Sequence, residues 1–287
     1  MKTKKGINWA QIVTVALLSV YLLTVLLPLY WQVTMSLKNP LDVMANPPKF
    51  QFDVTFENYQ RLFTGTGYSK YDIVRTNFAK AFVNTLIIAG GAVILSLISG
   101  TLCAYALARF SFQGRDTLAF DLLARRFAPP LATSIPMYAL FRKIGLYNTH
   151  AGLILMMQGI SLPLLVWVVR SYIESVPYDL EQAALVDGYT WWGAFRKVLF
   201  PLVLPGIAAT SVIAFVFCWN DFATGLILAG RDTHTLTIET NAFISYEQVM
   251  WGQMAAASVV TILPSLILIL IVQRWVVRGL TFGAVKA

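Results

Sequence analysis

Long runs of apolar residues, each near the length of a membrane-spanning helix, alternate with short polar segments along this chain. A helix rises about 1.5 Å per residue and the hydrocarbon core of a bilayer is about 30 Å thick, so roughly 20 apolar residues cross it. Six segments are therefore predicted to be transmembrane helices: residues 10–36, 81–108, 117–141, 150–170, 203–229 and 255–277. The pattern predicts an all-α integral membrane protein with a single transmembrane domain over residues 1–287.

The third segment is the least regular of the six. Charged residues and prolines fall in it or beside it: Asp116, Asp121, Arg125, Arg126, Pro129, Pro130 and Pro136. Such a helix is tolerated in a bilayer only where its polar face meets protein or a water-filled path. Arg125 and Arg126 either snorkel to a nearby interface or line such a path, and both interpretations stay open.

Composition excludes a soluble domain. The 287 residues are 57% hydrophobic and only 13% charged, too little charge to cover a water-exposed surface of this size. The basic start MKTKKGINW precedes a first run too long for a signal-peptide core, so we expect a retained first span with its N-terminus inside the cell. Six spans place both termini on one side.

The residues that usually carry metal or nucleotide chemistry are sparse. Cys103 and Cys218 lie inside apolar runs, where a packing role is expected for both. His150 and His234 have no ligand partners at useful spacing, so no metal site is predicted. The phosphate-binding pattern G-x-x-x-x-G-K-[ST] does not occur, so the chain offers no such loop for ATP.

The segment between the fourth and fifth spans differs from the rest of the chain. Residues 178–205 read YDLEQAALVDGYTWWGAFRKVLFPLVLP. Acids in the first turn favour a helix start, and Gly188 can take the left-handed conformation that ends a helix. Thr190 can cap a second helix, which Pro201 and Pro205 are predicted to close before the fifth span. We therefore predict two short helices that meet at Gly188.

Spacing alone leaves two interpretations of this segment. It is either an amphipathic connector on the lipid surface, with Trp191 and Trp192 as interfacial anchors, or a helical knob that docks into a groove of a soluble partner. Ala183 and Ala184 beside a hinge glycine favour docking, because small side chains let another backbone come close.

The same segment resembles the EAA loop of ABC-importer permease subunits, whose pattern is E-A-A-x3-G-x9-I-x-L-P. The positions that match the pattern or stand in its place are Gln182, Ala183, Ala184, Gly188, Val198, Phe200 and Pro201. Glu181 directly precedes the pattern, and Asp187 with Gly188 matches the DG pair common in the sugar-importer branch. Gln182 occupies the position of the motif glutamate, which removes a charge that an ion pair with a partner would use. The resemblance predicts that the loop covers residues 175–202.

Further motifs extend the resemblance over nearly the whole chain. They are AYALARF at 104–110, RFAPPLATSIPMYALFRKIGLYNT at 126–149, LPLLVWVVRSYIESVP at 162–177, FCWNDFATGLIL at 217–228 and RGLTFGAVKA at 278–287. In these motifs the chain is similar to permeases of the carbohydrate-uptake branch, in particular the second permease subunit of maltose-like importers.

The resemblance implies a function and a set of partners. A second homologous permease would complete a path through the lipid bilayer, and an external binding protein would deliver a sugar or polyol. Two ATPase subunits, forming a homodimer, would bind ATP and Mg²⁺. This chain would bind no cofactor, would be no enzyme and would contact no nucleic acid. The EAA loop would be the coupling helix, seated in an ATPase groove, so residues 171–202 and both termini would face the cytoplasm of a bacterial-type cell.

A sugar path needs aromatic faces and a few hydrogen-bonding groups in an apolar surrounding. We predict that three residues within the fifth span line this sugar path: Trp219, Asn220 and Asp221. Asp221 would contact either the substrate or the other permease, since an acid inside a membrane needs a cavity or a polar partner. Arg126 and Tyr138 of the third span are further path candidates.

Two alternatives accompany this prediction. A neutral sugar or polyol is the first choice of substrate, and glycerol-phosphate or another anionic sugar derivative is the second. A stand-alone proton-coupled carrier would belong to a different class and would use Asp121, Asp221 and the arginine pair as a relay. Such carriers commonly have inverted repeats, and none is recognisable in this sequence.

Overall fold

The computed structural model describes residues 9–65, 77–241, 243 and 249–282. Its α-helices are α1 Trp9–Ser36, α2 Pro40–Val43, α3 Glu57–Thr64, α4 Phe78–Arg109, α5 Arg115–Ala124, α6 Pro130–Lys143, α7 His150–Ser175, α8 Asp179–Val186, α9 Trp191–Ala194, α10 Phe200–Trp219, α11 Ala223–Leu228, α12 Leu236–Asn241 and α13 Trp251–Phe282. A 3-10 turn at Arg125–Phe127 follows α5, and a π-helical turn at Phe195–Leu199 joins α9 to α10. The predicted all-α fold is confirmed.

Among the described residues, five helical stretches are long and apolar enough to cross a membrane: Gln11–Ser36, Phe78–Arg109, His150–Ser175, Trp191–Trp219 and Trp251–Gln273. The predicted third span, 117–141, is divided instead between α5 and α6. Ala128 and Pro129 have extended backbones, because a residue that precedes proline is pushed out of the helical region. The count of six spans stays a prediction.

The fifth predicted span, 203–229, also differs from the structure at both ends. Its helix ends at Trp219, and Asp221 begins α11 by accepting a hydrogen bond from the Thr224 amide at 2.9 Å. Short acidic and amide side chains compete in this way with helix continuation. At the other end, Pro201 and Pro205 do not close the second short helix, which continues through the π-helical turn into α10.

Contacts divide the described residues into two compact units, the first drawn from 1–76 and 242–260, the second from 77–241 and 261–287. In the first unit, Asn58 is buried and its amide donates to the carbonyl oxygens of Ser36 (2.9 Å) and Lys38 (2.8 Å). The Lys38 ammonium lies over the ring of Trp31, and Asp42 pairs with Lys49. These contacts join α1, α2 and α3. The prediction of one domain over 1–287 stays a prediction.

The second unit is built on α4 and α7, which pack along most of their lengths. The hydroxyls of Ser96 and Ser161 lie 2.7 Å apart in this interface, where both residues are buried. Small and hydroxyl residues let membrane helices approach closely. The α10 helix packs against the same pair, and the Tyr172 ring of α7 covers Gly206 of α10. This bundle positions the segment that contains α8 and α9.

Candidate functional site

The segment of residues 176–199 contains two short helices, as predicted, and we call it the coupling segment. Helix α8 ends in a Schellman motif: the amide of Tyr189 donates to Ala184 O (3.0 Å) and the amide of Gly188 to Leu185 O (3.1 Å). Gly188 has φ +87°, the left-handed conformation predicted for it. Thr190 caps α9, where its hydroxyl accepts from the Gly193 amide at 3.2 Å.

The turn between α8 and α9 exposes apolar side chains. Val186 is 87% exposed, and Tyr189 and Trp192 are also largely exposed. Gln182 and Ala183 face outward as well, whereas Ala184 is buried against the protein. Large exposed apolar groups rimmed by polar ones mark contact surfaces. The exposed face of α8 is therefore suited to contact with another molecule.

The inner face of α8 is held by a buried ion pair. Glu181 is fully buried, and its carboxylate accepts from the Arg109 guanidinium at 2.5 Å and from the Tyr105 hydroxyl at 3.1 Å. Arg109 also donates to the carbonyl oxygens of Ile173 and Val176, each at 2.9 Å. The loop pattern includes the region of Glu181 but predicts no partner for this residue within the chain. The AYALARF motif carries the missing signal, since Tyr105 and Arg109 are four residues apart on one helix face.

A second polar arrangement lies at the opposite end of α4 and α7, and sequence analysis missed it. Asn84 donates to the carbonyl oxygens of Asp232 (2.9 Å) and His234 (3.1 Å), and its own amide oxygen hydrogen bonds with His150 at 2.9 Å. These hydrogen bonds fix residues 229–235, which connect α11 to α12, to the N-terminal ends of α4 and α7.

Asn148 completes this arrangement, which we call the polar clasp. Its side-chain oxygen accepts from the Gly230 amide (3.0 Å) and the Thr233 hydroxyl (2.9 Å), and its amide donates to Asp232 at 3.1 Å. Asn148 has φ +55°, a conformation that asparagine adopts more readily than most residues. The polar clasp thus joins residues that are far apart in the sequence. Asn148 is 84 positions from Asp232 and 82 positions from Gly230.

The predicted substrate-path residues occupy different surroundings. Trp219 is fully buried; its indole donates to Thr261 O at 3.0 Å and its ring stacks on Phe215. The structure thus places this ring in helix packing rather than on an open face. Asn220 is exposed, and its amide donates to Val216 O of the preceding turn. Asp221 is half-buried and lies just before α11, where its carboxylate accepts from the Thr224 amide.

The two path candidates from the third predicted span lie beside aromatic rings. Arg126 is exposed, and its guanidinium carbon is 4.7 Å from the centre of the Phe217 ring. Tyr138 is half-buried; its hydroxyl accepts from Arg142 at 3.2 Å, and its ring meets Tyr147 edge-on. Among the described residues, no group of three or more His, Cys, Asp or Glu lies together as a metal site would require.

Comparison with known sequences gives matches over most of the chain. It is 34% identical over 264 residues to the trehalose transport system permease protein SugB of Mycobacterium tuberculosis, which covers 91% of this chain and 92% of that protein. It is 36% identical over 210 residues to the maltose/maltodextrin transport system permease protein MalG of Escherichia coli, with 71% of each chain covered.

The fold is similar to that of a bacterial ABC transporter involved in the import of the acidic polysaccharide alginate. The TM-score is 0.74 at 23% identity, over 96% of this chain and 99% of that one, and at this identity the likeness concerns the fold alone. The family described as binding-protein-dependent transport system inner membrane component matches residues 4–282. The chain therefore belongs to this family of multi-pass inner membrane components, and it is a permease of the ABC-transporter type and not itself an enzyme.

Proposed function

We propose that this chain forms half of the membrane path of an ATP-driven importer for a neutral sugar or polyol. A second homologous permease supplies the other half, an external binding protein delivers the substrate, and two ATPase subunits hold ATP and Mg²⁺. The relatives named for trehalose and for maltose and maltodextrin support a neutral saccharide. They do not favour the anionic substrate or the stand-alone carrier.

The observation that carries this proposal is the exposed turn of the coupling segment. Near its apolar tip at Val186 lie the exposed side chains of Asp179 and Gln182 on α8 and of Asp187 directly after it. A helix that lies on lipid instead presents a continuous apolar face and prefers cationic residues beside it. The mixture of apolar and acidic side chains supports docking into a protein groove, the second of the two interpretations of this segment.

Docking of this segment on an ATPase subunit also supports the orientation that we propose for the chain in the membrane. Residues 171–202 then face the cytoplasm, and with six spans both termini do so as well. Closure of the ATPase pair would draw two coupling segments together and tilt the attached helices, which is rigid-body alternating access. Arg125 and Arg126 are exposed in this chain, so they are available to the path or to the second permease.

The test begins with gentle purification of the tagged chain from its native membrane together with whatever accompanies it. We expect an accompanying ATPase whose rate rises when the binding protein and the correct sugar are added. Trehalose, maltose, a polyol and an anionic sugar derivative are screened in parallel. An intact complex without ATPase activity, together with proton-driven uptake by the lone chain in liposomes, would refute the proposal.

A further inference from the structure

Resting on the proposed function, we propose that Arg109 is a positioning residue that transmits the displacement of α8 to the transmembrane helices α4 and α7. Arg109 is the last residue of α4, and its side chain is 7% exposed beside a Glu181 side chain that is 0% exposed. The pair is therefore sealed from water at the point where α8 meets the bundle.

One guanidinium joins three helices at this point. Its Nε donates to Glu181 of α8 at 2.5 Å, and Nη2 donates to the carbonyl oxygens of Ile173 and Val176 at the end of α7. These carbonyls lie in the last turn of α7 and just beyond it, where a cation is favoured. Ile173 O also accepts from the Val176 amide at 3.1 Å. Arg109 thus occupies the C-terminal ends of both α4 and α7 while it holds α8.

The second oxygen of Glu181 extends the connection to α9. It accepts from the Tyr105 hydroxyl, and the Tyr105 ring is 4.8 Å from that of Phe195 in the π-helical turn. Phe110, next to Arg109, meets both Tyr105 and Trp191 through ring contacts. Both arms of the coupling segment therefore converge on the end of α4.

Apart from this pair, α8 is joined to the bundle by short chain connections and by its contacts with the π-helical turn. Residues 176–178 link it to α7, and Gly188 links it to α9 through a left-handed turn. Either connection could bend, and α8 would then turn without moving the helices. A buried charge pair resists such bending, because separating the two groups leaves an uncompensated charge in a low-dielectric surrounding.

The pair supplies geometry more than stability. Replacement of a buried ion pair by apolar residues of similar volume is often neutral or stabilising, whereas removal of one partner is strongly destabilising. The double variant Arg109→Met with Glu181→Leu therefore leaves no unpaired charge and is expected to assemble. The double variant does remove the hydrogen bonds by which Arg109 joins α4 to α8 and to the end of α7.

The experiment measures ATP hydrolysis by the complete complex, with and without the binding protein and its sugar. For the double variant we expect a loss of about tenfold in the ratio of stimulated to basal hydrolysis and in uptake, within the range typical of coupling between two sites. The control replaces a more exposed pair of α7, Arg170→Met with Glu174→Leu, whose side chains are 17% and 43% exposed and whose Nε–Oε1 distance is 2.7 Å. Glu174 also lies 3.8 Å from Arg115. The control complex should keep wild-type stimulation.

A second variant covers the case in which the double variant fails to assemble. Arg109→Lys keeps the charge, but a lysine ammonium lacks the planar fork that reaches Glu181 and two carbonyls together. A reduced stimulation ratio with unchanged basal hydrolysis supports the inference, and a wild-type ratio overturns it. Absence of any ATPase from the wild-type complex would instead defeat the proposed function itself.

Discussion

Two residues with left-handed backbones, Asn148 and Gly188, stand at opposite ends of the second unit. Gly188 has open space around the position of a Cβ atom, so its conformation alone requires glycine. Asn148 has a different reason to be where it is. Its side chain accepts hydrogen bonds from two donors of the polar clasp and donates one to an acceptor there. Its backbone N–H donates to Leu228 O at 3.2 Å.

Asn148→Ala is expected to destabilise the chain, because it removes three side-chain hydrogen bonds and leaves a strained left-handed alanine. Loss of partners for part-buried polar groups costs about 1–3 kcal/mol. Thermal unfolding of the full chain in detergent measures the change. The control is Asn220→Ala, which removes one exposed hydrogen bond within its own helix. Equal midpoints for both variants would show that the clasp contributes nothing.

A charged residue of the first unit gives a prediction on pH. The hydrogen bond from the Lys49 ammonium, 2.5 Å from Asp42, lowers the pKa of the Asp42 carboxyl below its usual value. A carboxyl with a lowered folded-state pKa stabilises the fold above its unfolded pKa, about 3.9, and loses this contribution as the pH falls further.

The thermal midpoints of wild type and Asp42→Asn should therefore differ at neutral pH and converge in acid. Lys49→Met, which removes the donor instead, should reproduce the convergence. A difference between wild type and Asp42→Asn that stays constant from neutral to acid pH would contradict the assignment. Detergent and salt concentrations are kept fixed, since salt screens an ion pair whose lysine is more than half exposed.

At the scale of helices, close packing depends on where glycine removes a side chain. A Cβ atom added at Gly206 of α10 would lie 2.5 Å from ring atoms of Tyr172 on α7, so the ring or the helix must shift. Gly159 of α7 has nothing within 4 Å of the same position. These two glycines, both inside helices of one bundle, therefore differ only in what they face.

Gly206→Ala should lower stability by about 1–3 kcal/mol, the usual cost of overpacking. Gly159→Ala should leave stability unchanged or raise it by up to about 1 kcal/mol, because alanine is the better helix former. Thermal unfolding of both variants in the same detergent makes the comparison. A stabilised Gly206→Ala chain would mean that Tyr172 moves away without cost.

At the scale of the whole molecule, the proposed docking of the coupling segment on an ATPase subunit would connect that subunit to the membrane helices. The tip of the coupling segment is exposed while its inner face is fixed by Arg109 and Glu181. Helix α1 contributes an apolar stretch that is long enough to cross a bilayer, Gln11–Ser36. An exposed docking surface on a membrane-embedded chain belongs to a subunit that works within an assembly.

Gly188→Arg is expected to abolish coupled uptake while the chain still inserts into the membrane. A bulky residue forced into φ +87° strains the turn and obstructs the surface that docks. Uptake of labelled sugar by cells or vesicles measures the effect. The matched control is Gly145→Arg, another open left-handed glycine, φ +77°, which follows α6. Full uptake by the Gly188→Arg chain would refute the proposed role of the coupling segment in transport.

Local signals in the sequence determined the elements. Runs of apolar residues gave the all-α membrane fold, and Gly188 and Thr190 gave the turn and cap of the coupling segment, because such signals act within one or two helical turns. Pro201 did not end its helix, since a π-helical turn upstream accommodates the proline and its missing N–H. The breaks at 128–129 and after Trp219 followed from prolines and from the Asp221 cap.

Only the tertiary structure decided which distant side chains meet. Glu181 and Arg109 are 72 positions apart, and Asn148 and Asp232 are 84 positions apart. No periodicity within either segment specifies such a pair, because the packing of α4 against α7 brings the partners together. Packing against Phe82, Phe215 and Thr261 buries Trp219, whose place in the substrate path as an aromatic face stays a prediction. The sequence thus determined the helices and the turn of the coupling segment, and the packing of the bundle decided which side chains hold that segment in place.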